Sequence, residues 1–147
     1  MPAVWTIGYE NLLPEPLVAE LVAADVERVI DVRFRPQSRR PGMSKTRLGA
    51  RLAEAGIAYE HCKPLGTPPD LRGLYHAGII AEAAERFAKH VEAHAAGELD
   101  HLADELGNAH SPRTALLCLE ADPATCHRRV LTEALTRRVA GLVVVDL

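Results

Sequence analysis

A thiol, an imidazole and a guanidinium stand side by side in this chain, at Cys126, His127 and Arg128. They follow a strongly apolar run, residues 116–119, which ends at the carboxylate of Glu120. A thiolate can act as a nucleophile, a histidine as an acid or base, and an arginine as a binding group for a phosphate or carboxylate. The spacing therefore predicts a buried element that stops where a reactive site begins.

The residues just before Cys126 carry signals for the start of a helix. Asp122 is a suitable N-cap with Pro123 at the first helical position, and Thr125 suits the same role further along. Either choice places Cys126 and His127 in the first turn of a helix, where unpaired amides and the helix dipole favour a bound anion or a thiolate. We expect this turn to be chemically active.

Two carboxylates, Asp31 and Glu120, lie at or near the ends of apolar runs. An unpaired carboxylate is costly in such a place, so each requires a partner, and Arg33 and Arg128 are suitable in type. One interpretation is a structural network of ion pairs that braces the loops. The other is that one carboxylate acts as acid, base or nucleophile while the arginines hold an anion. The two roles are compatible.

One segment of the chain is strongly basic, although the net charge is −3. Residues 33–51 contain seven bases and no Asp or Glu. A block of like charges is either a solvated surface or an anion-binding site. The bases are Arg33, Arg35, Arg39, Arg40, Lys45, Arg47 and Arg51.

Short apolar runs alternate with helical periodicity along the chain. The runs at 4–7, 29–32, 116–119 and 142–145 predict strands covered on both faces, and apolar i, i+4 repeats between them predict helices. A weaker strand at 59–62 is expected at the edge. The order β-α-β-α-β-α-α-β-α-β predicts a three-layer α/β/α fold with a mainly parallel five-stranded sheet, in a single domain spanning residues 1–147.

The overall composition sets further limits. A chain of 147 residues that is 48% hydrophobic fits one core, and no apolar stretch is long enough to cross a membrane. Three cysteines without C-x-x-C spacing indicate reduced thiols, so a cytoplasmic protein without a membrane partner is expected. Gly and Pro interrupt residues 66–78, which we expect to be a mobile loop over the site.

Several common site types lack their motifs. The chain has no G-x-G-x-x-G and no G-x-x-x-x-G-K-[ST], which argues against dinucleotide binding and P-loop phosphoryl transfer. No cysteine is followed by an arginine six positions later, which argues against a tyrosine-phosphatase loop. The IDVR sequence at 30–33 is similar to rhodanese domains, but Arg128 lies only two residues beyond Cys126, so sulfur transfer is not the favoured chemistry.

A metal centre is a further alternative. Cys126 and His127, with His61 and Cys62, are ligand types that suit zinc or iron if loops bring them together. Neighbouring residues on a helix point about 100° apart, which makes Cys126 and His127 poor joint ligands. We therefore assign no metal ligand and leave the cofactor open. Cys118, inside an apolar run, is assigned to the core.

Five short motifs together resemble one bacterial and archaeal family, the domain of unknown function 488. They are T-I-G, D-V-R, P-x-S-R, L-G and C-H-R, at residues 6–8, 31–33, 36–39, 65–66 and 126–128. The similarity extends over essentially the whole chain, although the segment after L-G is shorter than in many members. The resemblance implies a fold and the position of a site, whereas the activity of the family is not settled.

Ligands of parallel α/β sheets bind at the carboxyl ends of the strands, and the chemically suitable residues of this chain fall there. We expect an enzyme that acts on an anionic, phosphate-bearing substrate, a small nucleotide or a nucleic-acid end. A non-catalytic module that binds nucleotides or nucleic acid is the first alternative, and a Cys/His metal protein is the second. The expected catalytic residues are Asp31, Glu120, Cys126 and His127, and the expected anion-binding residues are Thr6, Gly8, Arg33, Arg35, Ser38, Arg39 and Arg128.

Overall fold

A five-stranded sheet in which all strands are parallel lies at the centre of the molecule, and the computed structural model describes all 147 residues. The strands are β1 (Ala3–Gly8), β2 (Arg28–Asp31), β3 (Ala58–His61), β4 (Thr114–Cys118) and β5 (Val143–Asp146). Their order in the sheet is β3-β2-β4-β1-β5. The four apolar runs are thus confirmed as strands, and the weaker third strand lies at an edge, as expected. The expectation that all four are covered on both faces is wrong for β5, which forms the other edge of the sheet and is half-buried to exposed.

Six helices complete the fold, and they confirm the predicted alternation of strands and helices. They are α1 (Pro14–Ala23), α2 (Lys45–Glu54), α3 (Pro69–His76), α4 (Ile80–His94), α5 (Ala96–Leu106) and α6 (Arg128–Arg138). The short helix α3 occupies the segment expected to be a loop. Pro69 is suited to the start of a helix, and Leu71 and Tyr75, four residues apart, bury one side of it.

The helices cover both faces of the sheet, which confirms the three-layer α/β/α architecture. On one face, α1 and α2 pack Leu17 and Leu48 against residues such as Ile7 and Leu117. On the other face, α3 to α6 pack against the alternate residues of the same strands, among them Leu116. Strands with apolar side chains on both faces read as continuous apolar runs, which is why they were visible in the sequence.

The order of the strands determines which loops meet. β4 lies in the middle of the sheet, between β2 and β1, so the loops after these three strands share one edge. The register places Gly8 beside Cys118 and Asp31 beside Leu117. Residues that are far apart in sequence therefore converge at the carboxyl ends of the central strands. None of the helices is both long and apolar enough to span a lipid bilayer.

Candidate functional site

The loop after β4 brings Cys126 and His127 to the edge of the sheet. Asp122 caps a 3-10 turn, Pro123–Thr125, because its Oδ1 accepts the amide of Ala124 at 2.9 Å. Cys126 then adopts an extended conformation, with φ −129° and ψ 150°, before α6 begins. The prediction that Cys126 and His127 lie inside the first helical turn is therefore wrong, because the extended residue separates the 3-10 turn from the helix. The two side chains converge as a result.

Cys118, Cys126 and His127 form a buried cluster at this edge, each with at most 6% of its surface exposed. The Sγ atoms of Cys118 and Cys126 lie 3.8 and 3.7 Å from Nδ1 of His127. On the far side of the ring, Nε2 donates to the carbonyl of Val32 at 2.8 Å. Phe87 packs edge-on against the imidazole, with ring centroids 5.3 Å apart. The imidazole is thus held so that one nitrogen faces both sulfur atoms.

The electrostatics of the cluster favour a thiolate at Cys126. Burial raises the pKa of this thiol, but hydrogen bonds from Cys118 and His127 and the charges of His127 and Arg128 outweigh burial and bring the pKa well below its ordinary value. Burial lowers the pKa of His127, but the neighbouring Cys126 charge outweighs it and the pKa is raised. The hydrogen bond to Cys126 and burial raise the pKa of Cys118. One sulfur therefore carries negative charge beside a second, protonated one.

Glu120 lies just above the cluster, with its Oε2 atom 3.7 Å from the Sγ of Cys118. Burial and the nearby Cys126 charge raise the pKa of Glu120 to about 7, so this carboxyl can exchange a proton near neutral pH. Its backbone is fixed by two contacts. The carbonyl oxygen accepts a hydrogen bond from Arg128 and lies against Gly8, where a Cβ would be 1.7 Å from that oxygen. Because it has no Cβ, Gly8 allows the backbones of β1 and of Glu120 to approach each other closely.

A small cavity of about 40 Å³ opens over the cluster. Tyr75, on α3, is 8% exposed, and its hydroxyl has no hydrogen-bond partner in the protein. Arg35 and Arg72 are exposed, and their guanidinium groups are not engaged by any protein acceptor. The cavity is lined by Tyr9, Arg33, Phe34, Arg35, Gln37, Thr67, Arg72, Tyr75, Cys118, Leu119, Glu120, Cys126 and His127.

Asp31 and Arg33 form a closed, buried ion pair beside the cavity. Nη2 and Nε of Arg33 donate to the carboxylate at 2.7 and 2.9 Å, and the hydroxyl of Tyr59 donates to it at 2.5 Å. Nη1 of Arg33 donates to the carbonyl of Met43 at 2.7 Å and to the hydroxyl of Tyr9 at 3.3 Å. The pairing suggested by residue type is confirmed. Asp31 does not line the cavity, whereas Arg33 does, and its Nε, Nη1 and Nη2 atoms each donate to a protein acceptor.

Arg128 is also engaged with the protein, and only 1% of it is exposed. Nη1 donates to the hydroxyl of Thr6 at 3.1 Å, and this hydroxyl donates to Asp146 at 2.5 Å. Nη2 donates to the backbone carbonyl of Glu120, and Nε has no acceptor. The expected partner of the Glu120 carboxylate therefore binds the backbone of that residue instead. Thr6 and Arg128 lie behind the cavity lining and support it.

The basic segment divides into engaged and free residues. Arg40 donates to two backbone carbonyls just after β1, and its amide donates to the hydroxyl of Ser38 at 3.1 Å. Ser38 and Arg39 line an open groove with Lys45 and Arg47 at the start of α2, outside the cavity. Among the expected anion-binding arginines, only Arg35 presents a free guanidinium to the cavity.

Several cavity residues were not among the predicted site residues, and three of them have side chains suited to the chemistry of the site: Cys118, Arg72 and Tyr75. Cys118 and Glu120 are two residues apart in extended chain, so the alternation of side chains along a strand could have placed them on one side. Arg72 and Tyr75 lie on α3, whose signal was the i, i+4 pair Leu71 and Tyr75. The shortness of this helix explains why the segment was assigned to a loop.

The other two residues considered as metal ligands do not join the cluster. Nε2 of His61 lies 2.7 Å from the carbonyl of Arg33, and the side chain of Cys62 lines a separate groove beside α5. The ligand-type residues that do converge are Cys118, Cys126 and His127, whose potential ligand atoms all lie within 4.8 Å of one another.

Comparison with known proteins agrees with the resemblance found in the motifs. A family model described as a domain of unknown function, DUF488, matches residues 14–135 of the 147-residue chain. No curated protein and no solved structure shows significant similarity to the chain. The matched segment contains most of the fold and the cavity, from α1 to most of α6. The chain therefore belongs to the DUF488 family.

Proposed function

We propose that the cavity is the active site of an enzyme that acts on an anionic, phosphate-bearing substrate such as a nucleotide or a nucleic-acid end. The observation that carries this proposal is that one cavity combines exposed arginines at its entrance, the mouth, with reactive side chains at its base, the floor. Arg35 and Arg72 have free guanidinium groups at the mouth, and Glu120 and the cluster around Cys126 form the floor. Anion-binding arginines next to a buried thiol, imidazole and carboxyl form a constellation suited to catalysis.

Each group has a role that suits its position. Arg35 and Arg72 hold the phosphate, since guanidinium groups bind phosphate oxygens in pairs. The Tyr75 hydroxyl, buried without a protein partner, supplies a hydrogen bond to the bound substrate. Glu120 transfers a proton to or from the reacting group, and Cys126 with His127 forms the reactive centre beneath it. Asp31 and Arg128 do not line the cavity and brace the loops, while Arg33 lines it and is paired with Asp31.

A second candidate is a non-catalytic module for nucleotides or nucleic acid. The open groove at the start of α2 supports it, because this groove has no hydrophobic lining residue and carries Arg39, Lys45 and Arg47. Binding through these side chains depends on phosphate contacts and falls steeply with salt. In that case substitution of the groove residues lowers the affinity for the ligand, and substitution of Glu120 does not.

The test is a panel of nucleoside phosphates and short oligonucleotides with 5′ or 3′ phosphates, assayed for turnover and for a ligand-dependent rise of the melting temperature. For Glu120→Gln we expect turnover to fall by about 10²–10⁴-fold with the rise retained. The double variant Arg35→Ala/Arg72→Ala loses the rise. Arg137→Ala is the matched control, since Arg137 is an exposed arginine on the last turn of α6.

The possible results separate the two candidates. Binding without turnover, lost on substitution of Arg39 and Lys45, supports the binding module and contradicts the enzyme. A panel in which no phosphate compound raises the melting temperature or is converted overturns both. Binding that is unchanged in the Arg35→Ala/Arg72→Ala variant contradicts the assigned site.

A further inference from the structure

The two sulfur atoms at the floor of the cavity share one imidazole nitrogen as a neighbour. Both thiols face Nδ1 of His127, at 3.7 and 3.8 Å. This nitrogen can pair with only one of them, because it has either one lone pair or one N–H. Cys118 also hydrogen-bonds to Cys126 and contacts Glu120 at 3.7 Å, and Cys126 receives the backbone amide of Arg128 at 3.5 Å. Two sulfurs and a nitrogen therefore lie within 4.8 Å of one another at the floor of the cavity.

The orientation of His127 is that of a metal ligand. Val32 offers only a carbonyl oxygen, so the hydrogen bond at 2.8 Å requires a hydrogen on Nε2 and leaves Nδ1 as the coordinating atom of the neutral ring. Metal-binding histidines are commonly oriented in this way by a hydrogen bond from their second nitrogen to a carbonyl or carboxylate. Phe87 at the ring edge fixes the plane of the imidazole further.

The two sulfur–nitrogen distances are close to those of tetrahedral coordination. With zinc–sulfur bonds of about 2.3 Å and zinc–nitrogen bonds of about 2.0 Å, a sulfur and a nitrogen ligand lie about 3.5 Å apart in a tetrahedron. The observed separations of 3.7 and 3.8 Å are close to this edge, and all three potential ligand atoms fall within 4.8 Å of one another. Two thiolates and one imidazole are a donor set that selects zinc among the common divalent ions.

The fourth position faces the cavity. Cys118, Cys126 and His127 all contribute to its lining, so an ion held by them is reached from the mouth between Arg35 and Arg72. The Glu120 carboxyl is close to the Cys118 sulfur and is the protein group placed to coordinate the ion or to hold a water bound to it. Three protein ligands with one open position are the pattern of catalytic zinc sites.

We propose that Cys118, Cys126 and His127 bind a divalent transition-metal ion, zinc in the first place, with the open coordination position directed into the cavity. Binding releases the protons that the Cys118 thiol and Nδ1 of His127 hold beside the Cys126 thiolate. Only the catalytic use of the ion rests on the proposed function. In that use the ion would polarise a phosphate oxygen or activate a water at its open position. It assigns Cys126 and His127 as metal ligands in place of a nucleophile and a base.

The experiment is a cobalt titration of the full chain, reduced and freed of metal with a chelator. We expect saturation at about one ion per chain, with the visible bands of tetrahedral cobalt and an ultraviolet thiolate-to-cobalt charge-transfer band, and displacement by zinc. Cys118→Ser, Cys126→Ser and His127→Ala lose or weaken the spectrum. Cys62→Ser is the matched control and keeps it, because Cys62 lies in a separate groove.

Several results overturn the inference. Reduced wild-type protein that takes up no cobalt excludes the site, whether or not the variants fold. A spectrum that is unchanged in folded Cys118→Ser, or is lost in Cys62→Ser, excludes this ligand set. Metal binding without turnover of any phosphate compound supports the metal site and contradicts the proposed enzyme. Full turnover by reduced, metal-free protein supports the enzyme and contradicts the catalytic use of the ion.

Discussion

The loops after β2 and β4 carry the same residue types, a carboxylate and an arginine, but their polar groups are satisfied to different extents. After β2, the carboxylate of Asp31 accepts hydrogen bonds from Arg33 and Tyr59, all at 3.1 Å or less. After β4, the carboxyl of Glu120 has only a 3.7 Å contact with a thiol, and Nε of Arg128 has no acceptor. One loop is a saturated network and the other has unused binding capacity.

The separation of the two charged residues along the chain accounts for this contrast. Arg33 follows Asp31 by two residues, so its side chain folds back onto the carboxylate. Arg128 follows Glu120 by eight residues across a 3-10 turn and reaches only the backbone of that residue. A saturated buried network has nothing to gain from a ligand, whereas unpaired buried groups are satisfied when one binds. Unsatisfied groups therefore mark the functional loop better than charged residues do.

The largest effect is expected for Asp31→Asn, which disrupts the saturated network after β2. This change removes the charge that Arg33 and Tyr59 require and leaves a buried guanidinium without a counter-charge. We expect a loss of about 3–5 kcal/mol in the free energy of unfolding, measured by urea denaturation. Glu54→Gln, at an exposed carboxylate of α2, is the control and should change stability by less than about 0.5 kcal/mol. Equal effects of the two changes would contradict the scaffold role.

Gly8→Ala affects the second loop through its backbone. The added Cβ would meet the carbonyl oxygen of Glu120, so the chain there must move, at a cost of up to about 3 kcal/mol. The control is Gly97→Ala on α5, where nothing lies within 4 Å and alanine favours the helix by up to about 1 kcal/mol. Calorimetric melting of both variants measures the difference. A neutral Gly8→Ala would show that the two backbones do not need their close approach.

Two tyrosine hydroxyls, one satisfied and one unsatisfied, test the same contrast with a smaller expected effect on stability. The hydroxyl of Tyr59 donates to the Asp31 carboxylate, so Tyr59→Phe should reduce the free energy of unfolding by about 2 kcal/mol. The hydroxyl of Tyr75 has no protein partner, so Tyr75→Phe should be neutral within about 0.5 kcal/mol or slightly stabilising. Urea denaturation of the pair measures both effects. A costly Tyr75→Phe would mean that its hydroxyl is satisfied within the fold.

Much of the fold follows directly from the sequence. The four apolar runs and the helical periodicities are local signals, and burial on both faces makes β1, β2 and β4 especially clear. The order of the strands depends on contacts between distant segments, for which a single sequence offers no local signal. Helix α3 was hidden because it is short and has two prolines and a glycine around or within it, at residues 68, 69 and 73.

The position of the site could be predicted from the sequence, but the full set of residues that form it could not. Glu120, Cys126 and His127 were found because reactive side chains follow a strand, and the strand ends at the ligand-binding edge. Cys118 was assigned to the core because thiols in apolar runs are commonly buried, and it is buried. Its participation depends on the extended conformation of Cys126, which turns that sulfur toward the same imidazole nitrogen. Backbone geometry of this kind cannot be read from residue types.

The hydrogen bonds behind the cavity also connect the site to the rim of the sheet. From the last residue of β5, Asp146, they pass through Thr6 and Arg128 to the carbonyl of Glu120. Edge strands are among the first parts of a domain to open in local unfolding, and β5 has only four residues. Each time this strand frays, Thr6 loses its acceptor and the support of Arg128 weakens. We therefore expect amide exchange in β5 and the mobility of Glu120 to change together.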